Sequence, residues 1–256
     1  MNFAGKKILV TGGTRGIGRA TVEAFLGAGA RVAVNGSSEA SVGKALAGLG
    51  AGDKAVGVPG DLSQVDGCRR VVEDAVARLG GLDVLVNNAG VGHAAKRFED
   101  TTEAEWDETV NINLRAVFFC TRYAVPALRA AKGNVVNVAS ILGLRGRGAG
   151  LSLYCVSKAG VVNLTRDIAI ELAPDIRVNC LCPGAVDTEM LQELGRMLGQ
   201  GDVAAGYALL TQTRPIKRVA HPSEMAHAIL YLASDLASFV TGSIHVADGG
   251  VTARAG

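Results

Sequence analysis

Short apolar runs alternate with amphipathic stretches along the chain. The runs have strand length and are rich in Val, Leu, Ile and Ala, which is typical of buried parallel strands. They are Lys7–Val10, Arg31–Asn35, Ala55–Pro59, Leu82–Asn87, Asn134–Ala139, Ile176–Cys182 and Ser243–Val246. Between most runs, apolar residues recur at helical spacing. The first helix carries the stripe Ile17, Ala20, Ala24, Phe25 and Ala28, and further helices are predicted at 39–49, 64–79, 103–130, 152–172 and 223–234.

This alternation predicts an α/β fold, with a doubly wound parallel sheet and helices on both faces. No repeat or linker interrupts the sequence, so we expect one domain over residues 1–256. One long connection, about residues 186–222, departs from the pattern. Such a segment in a compact domain is more often a lid or binding loop than a structural connection.

Composition narrows the classes of protein. Hydrophobic residues make up 48% and charged residues 20% of the chain, with a net charge of +2. That balance indicates a globular protein and argues against nucleic acid as a partner. No apolar run reaches the roughly 20 residues that span a bilayer, and Met1–Gly5 does not begin a signal peptide. We therefore expect a cytoplasmic protein that binds neither membrane nor metal, with its five cysteines reduced.

The first predicted strand leads through a glycine-rich turn straight into a helix. Gly12, Gly16 and Gly18 allow a sharp turn, a close approach of backbone N–H groups to a pyrophosphate, and close packing of helix on sheet. The helix N-terminus adds partial positive charge where phosphates would lie. A purely topological turn is the alternative interpretation.

The end of the second strand bears on the choice between NAD and NADP. An NAD site usually has an acid about 20 residues after the glycine turn, where it bonds the ribose 2′-hydroxyl. Asn35 stands there instead, followed by Ser37 and Ser38. Arg15 supplies a cation in the turn, although it could equally be a solvated loop residue. The pattern predicts a preference for NADP(H), with NAD(H) possible.

Polar residues follow the third and fourth strands, at Asp61-Leu62 and at Asn87-Asn88-Ala89-Gly90. Both segments reach the carboxyl edge of the sheet, where open α/β sheets bind ligands. For Asn87 we expect a structural role, in which a buried amide satisfies strand carbonyls.

A candidate acid/base group lies in helix 152–172. Tyr154 and Lys158 are four residues apart, so they share a helical face. A tyrosine hydroxyl can protonate a nascent alkoxide, and a nearby ammonium is expected to lower its pKa towards neutrality. Ser140 ends the strand before this helix and can polarise a substrate oxygen, unless it is only a cap. Asn113 lies among apolar residues of helix 103–130, so its amide must bond the backbone or an ordered water.

In these residues the chain resembles the short-chain dehydrogenase/reductase family over nearly its whole length. The motifs are Thr-Gly-x-x-x-Gly-x-Gly at 11–18, Asn-Asn-Ala-Gly at 87–90, Ser140, Tyr-x-x-x-Lys at 154–158, Pro183-Gly184, Thr188 and Asp248-Gly249-Gly250. The resemblance implies a Rossmann fold and an enzyme that moves hydride between NAD(P) and a carbonyl/alcohol pair. It implies the catalytic tetrad Asn113, Ser140, Tyr154 and Lys158, with Lys158 also holding the nicotinamide ribose.

The motifs and the resemblance together predict a cofactor-binding set, in which the segment from Pro183 to Thr188 holds the nicotinamide end. The set is Gly12, Thr14, Arg15, Gly16, Ile17, Gly18, Asn35, Ser37, Ser38, Asp61, Leu62, Asn88, Ala89, Gly90, Tyr154, Lys158, Pro183, Gly184, Val186 and Thr188.

The substrate is less well defined by the sequence. Predicted contacts are Ser140, Tyr154, His93, Leu142 and Met190. Within the family the chain is similar to 3-oxoacyl-[acyl-carrier-protein] reductases and to sugar and alcohol dehydrogenases. A 3-oxoacyl thioester, a sugar and a small ketone therefore all remain open. A protein that senses NADP(H) without turnover is the alternative, and the complete tetrad argues against it.

A carrier protein is a doubtful partner. An acidic carrier requires a basic patch beside the mouth of the site. Arg129 and Lys132 could form one half, but the expected second half contains Glu171 and Asp175.

Two helices are apolar on nearly every side, which predicts a homo-oligomer. Helices 103–130 and 152–172 carry apolar stripes too wide for one core-facing side, so another subunit is the natural cover. A second twofold axis through strand 243–246 and helix 223–234 would give a tetramer, which the resemblance also implies.

Overall fold

A computed structural model describes residues 1–92, 95–146, 148, 150–212 and 214–253. Within them, seven strands form one all-parallel sheet: β1 Lys7–Val10, β2 Arg31–Gly36, β3 Ala55–Pro59, β4 Val84–Asn87, β5 Asn134–Val138, β6 Arg177–Pro183 and β7 Ile244–Ala247. Their order is β3-β2-β1-β4-β5-β6-β7. The predicted doubly wound sheet is confirmed. The strand order reverses between β1 and β4, which opens a crevice at their carboxyl ends.

Helices cover both faces of the sheet, as predicted. They are α1 Gly16–Gly27, α2 Glu39–Leu49, α3 Val65–Leu79, α4 Glu103–Val110, α5 Ala116–Ala131, α6 Ser152–Leu172, α7 Glu189–Leu198, α8 Val203–Thr211 and α9 Pro222–Ala233. On one face, Phe25 of α1 and Ile229 of α9 belong to the same buried cluster. On the other face, α3, α5 and α6 contribute to a second cluster that includes Val71, Leu128 and Ala169.

The helix predicted at 103–130 is not uniform. Helix α4 continues through a π-helical turn, Asn111–Arg115, into α5. A π turn contains an extra residue, so it rotates α5 relative to the continuation of an ideal α-helix. Asn113 lies inside this turn and is fully buried. The pattern of apolar residues could not reveal the interruption because α4 and α5 both keep helical spacing.

The connection predicted at 186–222 holds two helices, α7 and α8. The length of this connection had suggested a lid or binding loop, and the structure adds that the segment forms a helical hairpin. Only Gly195 in α7 and Gly206 and Thr211 in α8 are buried. The hairpin therefore lies over the body of the protein without a core of its own.

Buried amides join β4 and β5 to the helices that cover them. Asn87 Nδ2 donates to Thr121 Oγ1 at 3.0 Å and to Asn137 Oδ1 at 2.9 Å. Asn137 Nδ2 in turn donates to Thr165 Oγ1 at 2.9 Å. The expected structural role of Asn87 is thus realised, but through side chains and not through strand carbonyls. The network fixes α5 and α6 relative to the two central strands.

Candidate active site

The glycine turn lies at the carboxyl end of β1, against the loop that follows β4. Gly12 and Gly16 adopt φ angles of +59° and +53°, in the region that favours glycine. A methyl group on Gly12 would lie 2.9 Å from Ala89 Cα, and one on Gly18 would collide with the Gly12 carbonyl oxygen. Neither glycine can therefore carry a side chain. The open backbone surface that results at the start of α1 is called the cradle below.

This cradle fits the pyrophosphate of a dinucleotide. The N-cap residue of α1, Arg15, makes no capping hydrogen bond through its side chain, and the first turn contains no acid. The N–H groups at a helix N-terminus favour an anion, and here no carboxylate of that turn competes for them. The exposed Arg15 guanidinium forms an ion pair with Glu189 at the start of α7.

The end of β2 differs from the sequence-based expectation. Asn35 is buried: its Oδ1 accepts a hydrogen bond from Gly12 N at 3.2 Å, and its Nδ2 donates to the Val58 and Gly60 carbonyls at 3.0 and 3.3 Å. It supports the glycine turn through the bond to Gly12 N. The position that faces the turn is Gly36, where a Cβ would lie 2.6 Å from Thr14 Cγ2. The offset of one residue results from the alternation of side chains along a strand.

Two serines follow Gly36 at the start of α2. Ser37 is exposed. The Ser38 hydroxyl caps α2 by accepting from Ser41 N at 3.2 Å.

The loops after β3 and β4 also reach the crevice, as predicted. Thr11 Oγ1 accepts hydrogen bonds from Asn88 N at 2.9 Å and Ala89 N at 3.1 Å. Asn88 Nδ2 donates to the Thr11 and Gly12 carbonyls, both at 3.0 Å. Asp61 is exposed and accepts from Ser63, whereas Leu62 is buried in the core.

The segment after β6 approaches the glycine turn from the other side. Gly184 N donates to the Ala247 carbonyl, and Val186 forms a bridge with Ala220. Thr188 caps α7, and its methyl carbon lies 3.1 Å from the position of a Cβ on Gly16. The structure thus brings the predicted nicotinamide segment and the predicted pyrophosphate turn together.

Tyr154 and Lys158 project from the first turns of α6. Lys158 is 4% exposed, and its Nζ donates to the Val138 carbonyl at 3.0 Å and lies 5.7 Å from the centre of the Tyr154 ring. Ser140, at the end of β5, lies near the Tyr154 hydroxyl. These three side chains form one contiguous group at the carboxyl edge of the sheet.

The pKa values in this group differ from the expectation. Burial raises the pKa of Tyr154 to about 12, and the hydrogen bond with Ser140 only partly opposes it. Burial also lowers the pKa of Lys158 to about 8. The predicted lowering of the phenol pKa by the ammonium is wrong for the protein alone, because desolvation disfavours the phenolate and Lys158 bonds a carbonyl.

Ser140 has the capping role that the sequence offered as one alternative. Its Oγ accepts a hydrogen bond from Leu142 N at 3.1 Å and so caps the short helix Ile141–Gly143. The predicted contact with a substrate oxygen stays a prediction.

Asn113 bonds the protein on all sides. Its Oδ1 accepts from Val91 N at 2.8 Å, and its Nδ2 donates to the Val91 carbonyl at 2.9 Å and to Ser157 Oγ at 3.1 Å. The backbone of Val91 accounts for two of these contacts, as the sequence allowed, and the Ser157 hydroxyl for the third. Ser157, which sequence reasoning missed, donates to the Tyr154 carbonyl at 2.9 Å. Its only signal was its place between Tyr154 and Lys158.

The remaining predicted substrate contacts, His93, Leu142 and Met190, differ in where they lie. His93 lies outside the described residues. Leu142 is half-buried beside Ser140. Met190, the second residue of α7, is exposed, and its Sδ lies 3.2 Å from the position of a Cβ on Gly92. The lid hairpin therefore meets the loop after β4 at this methionine.

Among the residues that the structure describes, there is neither a candidate metal site nor a candidate membrane-spanning helix. Its residues contain no group of three or more His, Cys, Asp or Glu side chains that could hold a metal ion. Nor is any described helix both long and apolar enough to cross a bilayer.

Comparison with known proteins gives consistent matches over nearly the whole chain. Residues 12–252 match a family model described as enoyl-(acyl carrier protein) reductase. The cis-4-hydroxycyclohexanecarboxylate dehydrogenase of Sinomonas cyclohexanicum is 40% identical, over 98% of this chain and 98% of its own. The 2,5-dichloro-2,5-cyclohexadiene-1,4-diol dehydrogenase of Sphingobium indicum is 38% identical, over 98% of this chain and 99% of its own.

A solved structure agrees with these relatives. The chain superimposes on a short-chain dehydrogenase/reductase, glucose/ribitol dehydrogenase, from Brucella melitensis with a TM-score of 0.89 and 34% identity. The match covers 98% of each chain.

Proposed function

This chain belongs to the short-chain dehydrogenase/reductase family, and from that membership we propose that it reduces a small ketone with Tyr154 as the proton donor. It is an NAD(P)-dependent oxidoreductase that interconverts a carbonyl and an alcohol. The observation that carries the proposal is the contiguous group of Ser140, Tyr154 and Lys158 at the carboxyl edge of the sheet.

Each member of the tetrad has a distinct task in this mechanism. The cofactor, when bound, supplies the hydride. Tyr154 gives its proton to the carbonyl oxygen, and the Ser140 hydroxyl donates a hydrogen bond to the same oxygen. The Lys158 ammonium stabilises the phenolate that Tyr154 leaves behind and holds the nicotinamide ribose. Asn113 fixes Val91 and, through Ser157, the first turn of α6.

The high pKa of Tyr154 suits a proton donor. A phenol with a pKa of about 12 stays protonated at neutral pH, so the proton that reduction requires is present. Its transfer depends on the Lys158 ammonium, which stabilises the phenolate that forms. Oxidation of an alcohol would use the same group in reverse and requires Lys158 to be charged.

We place the cofactor on the predicted set, with two changes of role. Gly12, Thr14, Arg15, Gly16, Ile17 and Gly18 hold the pyrophosphate, and Thr188 and its neighbours hold the nicotinamide. Asn35 acts through the turn above it, and Gly36 takes over the position beside the adenosine ribose. Preference for NADP(H) rests on the lack of an acid from Asn35 to Ser38 and on the cation of Arg15.

The cofactor preference is tested by comparing kcat/KM for NADPH and NADH. Gly36→Asp should shift the ratio towards NADH, because a carboxylate repels a 2′-phosphate. It is best made together with Thr14→Ser, which removes the nearest of the three atoms that a Cβ at position 36 would meet; Ser41 Oγ and Val42 Cγ2, at 2.9 and 3.0 Å, have to shift. Thr14→Ser alone is the control. A wild-type preference for NADH would overturn the assignment.

For the substrate, we favour a ketone on a six-membered carbon ring. The names of two relatives specify such rings, a cyclohexanecarboxylate and a cyclohexadiene. Exposed Met190 offers a flexible apolar contact that suits a compact ring. A panel of cyclohexanone, 4-oxocyclohexanecarboxylate, a 3-oxoacyl thioester, an aldose and a steroid ketone, read at the nicotinamide absorbance, tests this choice. The first two should be reduced with the highest kcat/KM.

An acyl carrier protein is not favoured as a partner. Arg129, half of the expected basic patch, forms an ion pair with Asp175 at 3.1 Å. Its charge is therefore partly neutralised by the very segment that should supply the second basic residue.

We also propose a cytoplasmic, single-domain protein that assembles as a homotetramer. The tetramer is supported by two separate exposed apolar surfaces, one on the helices α4–α6 and one on α9 and β7.

A further inference from the structure

The lid hairpin, residues 189–211, has little apolar anchorage to the rest of the protein. None of its large side chains is buried, and Met190, Met197, Leu198 and Leu209 are exposed. An element that buries so little apolar area opens at low free energy unless polar contacts hold it. The position of the hairpin therefore depends on a few specific contacts.

The two helices of the hairpin pack closely on each other. A methyl group on Gly206 would collide with the Gly195 carbonyl oxygen, and one on Gly199 with the Asp202 carbonyl oxygen. Backbone therefore meets backbone, and α7 and α8 cannot separate without losing this packing. Whatever fixes one helix fixes the other.

Tyr207 connects the hairpin to the body through Asp187. Its ring packs on Gly195, with Cε1 3.0 Å from the position of a Cβ there. Its hydroxyl donates to Asp187 Oδ1 at 2.8 Å, and Gln192 Nε2 donates to the same oxygen at 3.0 Å. Asp187 itself is held to the body because its N–H donates to the Ala220 carbonyl at 2.9 Å.

This hydrogen bond persists over the working pH range. The donors Gln192 and Tyr207 lower the pKa of Asp187, with the nearby His221 charge acting the same way. Burial, followed by the contact with Asp187, raises the pKa of Tyr207 to about 12. Near neutral pH the acceptor stays charged and the donor keeps its proton.

A second contact at the base of the hairpin is weaker. Arg15 and Glu189 form an ion pair, but both side chains are more than half exposed. Exposed pairs contribute little because water screens them. The Asp187 contact is thus the one that decides where the hairpin lies.

We propose that Tyr207 and Asp187 are positioning residues that hold the lid hairpin over the mouth of the site, with Met190 against Gly92. They govern the binding of the carbonyl substrate and leave hydride transfer unchanged. The effect on substrate rests on the proposed function, whereas the effect on the hairpin does not.

Proteolysis tests the hairpin without requiring turnover. Arg196 is an exposed trypsin site within α7. Tyr207→Phe should raise the rate of cleavage after Arg196 about fivefold, as the loss of one ordinary hydrogen bond implies. Asp187→Ala also loses the bond from Gln192 and should raise the rate at least as much. Asp187→Asn keeps the accepting oxygen and should stay within twofold of wild type. Tyr231→Phe, on α9, is the matched control.

Kinetics test the consequence for substrate. With cyclohexanone or whichever ketone of the panel is reduced fastest, Tyr207→Phe should raise KM about fivefold and leave kcat within twofold. Tyr207→Phe added to Asp187→Ala should have no further effect, because both remove the same bond.

Several outcomes would overturn the proposal. They are wild-type cleavage after Arg196 in Tyr207→Phe, equal acceleration by Tyr231→Phe, or a fall in kcat at constant KM. If Tyr207→Phe lowers the melting temperature substantially, Asp187→Asn against Asp187→Ala decides the matter. Faster cleavage in a protein that reduces no ketone would leave the hairpin contact standing and refute the proposed function instead.

Discussion

At the scale of single residues, the side chains of the tetrad differ in how many hydrogen bonds they already make to the rest of the protein. Asn113 bonds Val91 and Ser157, and Lys158 bonds the Val138 carbonyl. Ser140 caps a short helix and lies near the Tyr154 hydroxyl. Tyr154 is half-buried and is the member best placed to meet a substrate. Removal of a structural contact and loss of catalysis must therefore be separated by measurement.

For Tyr154→Phe we expect turnover to fall by about 100-fold or more, because positioned proton transfer contributes at least that factor. The Kd for NADPH, read by fluorescence, should change less than twofold. Tyr123→Phe in α5 controls for loss of a hydroxyl. Activity above a few per cent of wild type would contradict the acid/base assignment.

The pH profile of reduction depends on Lys158. Its pKa of about 8 means that the ammonium is present below that pH and lost above it. A neutral lysine no longer stabilises the phenolate, so kcat/KM for ketone reduction should be level from pH 6 to 7 and decline as the pH rises through 8. A profile that stays level to pH 10 would show that this charge is not used.

Asn35 should behave as a structural residue. In Asn35→Asp a carboxylate would face the Val58 and Gly60 carbonyls, which now accept from the amide. We expect a loss of about 2–4 kcal/mol in the free energy of unfolding, since two carbonyls lose their donor. Urea unfolding measures it, with Ser37→Asp, an exposed neighbour, as the control. A stable Asn35→Asp variant that prefers NADH would restore Asn35 as the residue beside the ribose.

The sequence was sufficient to predict residues that belong to motifs. It was not sufficient to predict residues whose role depends on contacts between distant parts of the chain. Tyr154, Lys158 and Ser140 could be found because spacing and strand ends place them together. The direction of the Tyr154 pKa shift could not, because it depends on burial. Asp187 and Tyr207 are 20 residues apart, and no periodicity connects them.

At the scale of elements, apolar pattern located the strands and helices well and their internal detail less well. Each of the seven expected strands is present, with bounds shifted by at most two residues, as in Leu82–Asn87 against β4 Val84–Asn87. The π turn at Asn111–Arg115 and the helices of the lid hairpin were not predicted. The π turn does not alter the apolar spacing. Helix α7 does carry an apolar stripe, formed by Met190, Leu191, Leu194, Met197 and Leu198, but the length of the connection favoured a loop over a helix.

The amide network between β4, β5 and their helices gives a prediction at this scale. Asn137→Ala removes the acceptor of Asn87 and the donor to Thr165. We expect the free energy of unfolding to fall by about 2–3 kcal/mol, because a buried amide donor loses a partner and a cavity remains. Asn111→Ala, on the half-buried side of the π turn, should cost much less. If urea unfolding gave the same loss of unfolding free energy for Asn137→Ala and Asn111→Ala, the network would contribute no more to stability than a half-buried amide.

At the scale of the whole molecule, two apolar surfaces stay exposed in the single chain. The first carries Trp106, Phe118, Val156 and Ile170, and the second carries Tyr231, Leu236, Phe239 and Val246. The first surface lies on the helices from which the sequence predicted one twofold axis. The second includes Tyr231 of α9 and Val246 of β7, the elements of the other predicted axis, and also Leu236 and Phe239 from the segment between them. The oligomeric state itself stays a prediction.

Light scattering at micromolar concentration tests the assembly. We expect a mass about four times the 26.2 kDa of the chain. Phe118→Glu and Phe239→Glu each place a charge in one proposed interface and should each halve the mass, and the double variant should be monomeric. The mass of a single chain for the wild type would refute both surfaces as interfaces.

The reversal of strand order beside β1 also constrains how the nascent protein matures. One neighbour of β1 follows closely, but the other side bonds a segment 76 residues further along, as in the contact of Lys7 N with Asp83. At a synthesis rate of about 5–20 residues per second, that partner emerges about 4–15 s later. Until then Asn88 is not available to bond Thr11, and the side of the crevice formed by β4 and its loop is missing. A dinucleotide therefore cannot assist early folding and can stabilise only a chain whose central strand is already enclosed.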